Sequence, residues 1–65
     1  MQYLQKRSIK RGELLTSLKM ERQFWAEIDR RAAAKGQRWT IFVNALLAQR
    51  PPGQSRASWL RVSLL

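Results

Sequence analysis

The reactive inventory of this chain is short. Neither cysteine nor histidine occurs, which removes disulfides, thiolate clusters, imidazole ligands and the Cys-His and Ser-His nucleophile pairs. Its carboxylates are Glu13, Glu21, Glu27 and Asp29, and Glu27 and Asp29, two residues apart, do not share a helix face. No glycine-rich phosphate loop and no metal-ligand constellation is present, so the sequence predicts no enzyme, no cofactor and no metal. What remains is cationic. Thirteen Lys/Arg against four Asp/Glu give 65 residues a formal charge of +9 and a pI near 11.7, and that balance selects an anion as partner.

The charge is unevenly placed. Residues 1–12 hold Lys6, Arg7, Lys10 and Arg11 and no acid, and residues 36–65 hold Arg38, Arg50, Arg56 and Arg61 and no acid. The stretch between them is nearly neutral, so the pattern describes a surface with one basic side. No apolar run approaches the roughly 18 residues of a membrane span, and no apolar segment follows the N-terminal basic residues as a secretory signal requires. A cytoplasmic protein without a membrane partner is therefore expected. With 45% hydrophobic residues and three tryptophans the chain holds more apolar material than a disordered tail does. Yet one domain of this length buries only about 60% of its unfolded surface, and without disulfides or metal the remaining staple is oligomerisation.

The elements that must position these cations follow from periodicity. Residues 1–12 show no apolar period and read as a flexible basic arm, leaving 13–65 as the folded domain. Leu14, Thr16, Leu18 and Met20 alternate with Leu15, Ser17 and Lys19, the period of two that defines a strand. No second strand is legible, so this one is expected to pair with another molecule. Helix 1 is predicted from Glu21 to about Lys35 on the stripe Phe24, Ile28 and Ala32 with Trp25 alongside, stopped by Gly36 as a left-handed C′ residue. Helix 2 is predicted from Arg38 or Trp39 to about Gln49, ahead of Pro51 and Pro52. Trp39, Ile41, Phe42, Val43, Ala45, Leu46, Leu47 and Ala48 cover most of its circumference, which predicts a helix buried all round by a second copy of the chain. Ser55 or Ser58 is positioned to cap a short third helix. Helical spacing favours core packing for Phe24, Trp25 and Phe42 over stacking on single-stranded nucleic acid; it leaves Trp39 and Trp59 open, with a place across the dimer seam available to either.

This order resembles the ribbon-helix-helix family of bacterial and phage DNA-binding proteins, and within it the subgroup whose strand enters helix 1 through a Phe-Trp pair. The resemblance rests on Thr16-Ser17-Leu18-Lys19-Met20-Glu21-Arg22-Gln23-Phe24-Trp25, on Gly36 at the subgroup's spacing, and on Ser58-Trp59-Leu60-Arg61-Val62. It covers roughly residues 12–65. The fold it implies is mostly α: one strand pairing antiparallel across an intertwined homodimer, then two helices and a short C-terminal helix. Leu18, Met20, Phe24, Ile28, Trp39, Phe42, Val43 and Leu46 would form the dimer core.

The implied function is transcriptional repression, autoregulatory where the operator is that of its own operon, by a dimeric ribbon in the major groove of double-stranded DNA. Leu15, Ser17 and Lys19 would face the bases. Gln37, Arg38 and Thr40 at the start of helix 2, with Lys10 and Arg11 of the arm, would hold phosphates. The alternative in the same fold is a small protein-interaction module, an antitoxin or a phage-type inhibitor with a protein partner. A third possibility is a basic amphipathic peptide that folds on anionic membranes.

Overall fold

The computed structural model describes residues 3–65. Strand β1 (Leu4–Arg11) pairs antiparallel with β2 (Leu14–Glu21), followed by α1 (Arg22–Ala34), α2 (Trp39–Leu47) and α3 (Arg56–Ser63). With 48% helix and 25% strand, the described residues hold more strand than the mostly-α expectation.

The extra strand is the main departure from the sequence reading. Residues 4–11, expected as a flexible arm, are the partner strand that the chain was expected to lack; Met1 and Gln2 of that arm lie outside the described residues. Gly12 and Glu13 make a two-residue turn with Gly12 at φ +62° and Glu13 at negative φ, the type II′ pattern that matches strand twist and places glycine first. β2 thereby satisfies its backbone within the chain.

The hairpin packs one face on the helices. Ile9 from β1 and Leu18 and Met20 from β2 are buried, and the period-two alternation puts Arg7 and Thr16 on that inner face, both half-buried. α1 presents Trp25, Ile28 and Ala32 to them. It ends as Gly36 at φ +64° takes the left-handed C′ position, with Gly36 N–H donating to Ala33 O (3.0 Å) and Gln37 N–H to Ala32 O (2.9 Å), the pair of bonds of a Schellman stop. α3 starts at Ser55, whose hydroxyl accepts from Ser58 N–H.

α2 is not enclosed all round. Phe42, Val43 and Leu47 are buried, Leu46 and Trp39 are half-buried, and Ile41 is 53% exposed, with Ala45 and Ala48 also open. Of the residues expected at a dimer core, Leu18, Met20, Ile28, Phe42 and Val43 are buried in the chain's own core, and Phe24, Trp39 and Leu46 pack against it. Within the chain, β1 and α3 cover part of α2 and leave Ile41, Ala45 and Ala48 open. Two indoles tie the layers: Trp25 Nε1 donates to Gln5 O (2.8 Å) on β1, and Trp59 Nε1 to Leu46 O (2.6 Å) on α2.

Candidate nucleic-acid interface

The hairpin has one free face, and its composition is unlike the rest of the surface. Cross-strand pairing sets Lys6 against Lys19, Ser8 against Ser17 and Lys10 against Leu15, and all six side chains are exposed. Leu15, Ser17 and Lys19 therefore stand together on the outer face, as the strand alternation predicts. Lys10 joins them. Lys6 and Ser8 were missed by the sequence reading because β1 was not seen as a strand; the signal was the alternation of Lys6, Ser8 and Lys10 with Arg7, Ile9 and Arg11.

Like charges directly opposed in a sheet are destabilising, and Lys6 and Lys19 are such a pair. No carboxylate bonds either ammonium among the described residues, and three of the four acids are engaged elsewhere. Asp29 is held by Arg7 through two hydrogen bonds of 2.8 and 2.9 Å, Glu21 by Arg61 at 2.8 Å, and Glu27 by Arg30 and Arg31 together. Hydrogen bonding to these guanidiniums lowers all three carboxyls: Asp29 by Arg7, Glu21 by Arg61, and Glu27 to about 2 by Arg30 and Arg31. The chain sorts its charge in this way, with arginines neutralising Glu21, Glu27 and Asp29 while unpaired lysines line the outer face.

The start of α2 adds a second cationic feature. Arg38 is the N-cap, with extended backbone and no side-chain cap, and the first turn carries no acid. Arg38 and Gln37 are exposed and Thr40 is half-buried, so the three expected phosphate ligands lie at one helix end where backbone N–H groups lack intrahelical partners. Trp39 sits under β1, its ring centroid 5.0 Å from the Arg7 guanidinium. Arg11 departs from the group: alternation turns it to the inner face, away from Lys10.

Taken as chemistry, the outer face is a set of donors. Three ammonium groups and two hydroxyls across two strands present hydrogen-bond donors and positive charge, with Leu15 at one border and, at the other, the Leu4–Glu21 pair whose carboxylate is held by Arg61. Nothing in it ligates a metal, and no group of three or more potential metal-ligating side chains occurs among the described residues.

The family model for the ribbon-helix-helix domain matches residues 4–65. The chain belongs to the ribbon-helix-helix domain family. The match takes in β1, so the hairpin is part of the domain. Ribbon-helix-helix domains are generally DNA-binding transcription regulators or antitoxins and typically bind DNA as dimers. The chain matches no curated protein and no solved structure. No helix among the described residues is long and apolar enough to cross a membrane.

Proposed function

We propose that this ribbon-helix-helix domain is a sequence-specific, double-stranded DNA-binding repressor that acts by occupying an operator. The observation that carries this reading is the outer hairpin face, where Lys6, Lys10 and Lys19 surround Ser8 and Ser17 with no carboxylate among them. A two-stranded ribbon fits the major groove. There Lys19 donates to guanine O6 or N7, Ser17 bonds several base edges, and Leu15 meets a thymine methyl. The free N–H groups at Arg38, with Gln37 and Thr40, hold a backbone phosphate and fix the register.

The working unit is a homodimer. β1 occupies one edge of β2 and leaves the other open. In a two-residue hairpin the residues flanking the turn form a hydrogen-bonded pair, so the backbones of Leu15, Ser17 and Lys19 point to that open edge. Pairing β2 with β2 of a second copy would make the two β2 strands the central pair of a four-stranded sheet, their reading sets side by side and a β1 at each edge. The partner is a DNA duplex in the cytoplasm, not a membrane.

Selection of bound sequences from a random duplex pool tests the reading. Enrichment of a palindromic or repeated short half-site is expected. No enrichment over bulk DNA would contradict it and favour the antitoxin-type alternative, in which the fold engages a protein.

A further inference from the structure

One cleft lies apart from both the outer face and the start of α2. It opens at the turn end of the hairpin, has a volume of about 450 Å³, and is lined by Arg11, Gly12, Leu14, Thr16, Asn44 and Arg56. Three separate elements, β1, β2 and α2, meet the first residue of α3 there. No acidic side chain is among the lining residues.

The two arginines differ from most others in the chain. Arg7, Arg30, Arg31 and Arg61 are anchored on carboxylates, and Arg50 donates to Gln54 O. Arg11 and Arg56 have no ion pair and no side-chain hydrogen bond among the described residues, although they line the same cleft. Two unneutralised guanidiniums sharing one concavity repel each other, and an anion between them turns that repulsion into binding. The remaining lining is suited to it. Thr16 brings a hydroxyl, Asn44 is fixed in place by Nδ2 donating to Lys10 O (3.3 Å), and Gly12 has no heavy atom within 4 Å of where a Cβ would stand, so a ligand can approach the turn's backbone.

We propose that this cleft is a phosphate-binding site, with Arg11 and Arg56 gripping the phosphate group and Thr16 supplying a third donor. Guanidiniums match phosphate oxygens bidentately. A phosphate monoester dianion has three terminal oxygens, enough for two such forks and the hydroxyl, where a carboxylate has two; a backbone diester, with one charge and two free oxygens, gives each guanidinium one oxygen. The group has two possible sources, the backbone of a duplex or a free phosphorylated molecule. The phosphate chemistry stands on the cleft alone, whereas the duplex source rests on the function proposed above. Thr16 lies between Leu15 and Ser17 on the opposite face of the same strand, so occupancy of the cleft also holds the ribbon from behind.

The test uses the full chain and two probes. In the first arm, inorganic phosphate is titrated at constant ionic strength, with acetate as the comparison anion, while backbone amide signals are followed by NMR. Saturable shifts are expected at Gly12, Thr16 and Asn44, with acetate weaker. Arg56→Gln and Arg11→Gln should each weaken phosphate binding by about tenfold or more, and Arg22→Gln, an exposed charge on α1, should not. Unchanged melting of Arg56→Gln shows that the fold is intact. Shifts that never saturate, that spread evenly over all cationic segments, or that survive Arg56→Gln would overturn the site.

In the second arm the probe is a random-sequence 20-base-pair duplex. A lower affinity for Arg56→Gln, with the salt slope reduced by about one, assigns the phosphate to the duplex backbone. Equal duplex affinity with phosphate binding lost assigns it to a free phosphorylated molecule. If the wild-type chain binds no duplex while the phosphate shifts persist, the site stands and the DNA reading fails.

Discussion

Asp29 on α1 holds the guanidinium of Arg7 on β1 with two hydrogen bonds, 2.8 and 2.9 Å long, while the same guanidinium lies 4.7 Å from the ring centroid of Trp25 and 5.0 Å from that of Trp39. The two indoles meet edge to face at 5.7 Å. One arginine thus fastens the first strand to both major helices. Its hydrogen bonds to Asp29 keep Arg7 raised above the ordinary arginine value.

Arg7→Ala should therefore destabilise the fold by about 1–2 kcal/mol. Most of this comes from the lost cation–π packing, because the partly exposed ion pair with Asp29 is screened by water. Arg7→Lys should recover only part, since an ammonium cannot satisfy both carboxylate oxygens and two rings together. Thermal melts of the two variants measure this. Melting unchanged in Arg7→Ala would show that β1 is held by something else.

The same residue explains why the first strand was not legible. In β2, apolar Leu14, Leu18 and Met20 mark the inner face, and the alternation gives the faces of Leu15, Ser17 and Lys19 correctly. In β1 the inner positions are Gln5, Arg7, Ile9 and Arg11, where a single apolar residue among polar ones hides the period. A charged side chain reads as solvent-facing until its tertiary partners are known, and Asp29, Trp25 and Trp39 lie far along the chain. Gly12-Glu13 is also a weaker turn signal than Asn-Gly or Asp-Gly. Helices fared better: Gly36 and the Pro51-Pro52 pair are local punctuation, and the Phe24, Ile28 and Ala32 stripe needs no distant information, although Trp25 takes the buried place expected of Phe24, which is only partly buried. The all-round burial expected for α2 assumed that every apolar side chain finds cover, and Ile41 does not within the chain.

Acid should weaken the fold in a defined window. The carboxyls of Glu21, Glu27 and Asp29 are all lowered by arginines, so their contribution is complete above the unfolded carboxylate range, near about 4, and is lost as pH falls through the depressed native values. For Glu27 that loss extends to about 2. With no histidine in the chain, melting temperature should be level from about pH 5 to 8 and fall below about 4. Asp29→Asn should flatten part of the acid slope. A transition near neutrality would contradict this.

Phe42 is buried at 6% exposure in the core cluster, and Phe42→Ala should cost about 3–5 kcal/mol, a large share of what a domain of this size possesses. Leu46→Ala, at a half-buried position, should fall toward the lower end of the roughly 2–5 kcal/mol range for such truncations. Denaturant midpoints of both variants decide it. Unchanged midpoints would show that α2 is not the core helix.

The proposed dimer predicts a mass in solution. Sedimentation at micromolar concentration should give about twice the 7.7 kDa of one chain, through pairing at the open edge of β2. A folded species of single-chain mass would remove the dimer and leave each hairpin to act alone.

The central claim is that the outer hairpin face reads bases while the start of α2 holds the backbone. One competition titration separates the two roles, using a selected operator against random duplex over a range of salt. With two chains at +9 each, affinity should fall steeply as salt rises. Lys19→Ala should lose on the order of 1–3 kcal/mol of discrimination at one position in each half-site. Arg38→Ala should weaken operator and random duplex alike, with a shallower salt slope. Equal loss on both duplexes for Lys19→Ala, together with altered base preference for Arg38→Ala, would contradict the assignment of the ribbon as the reading element.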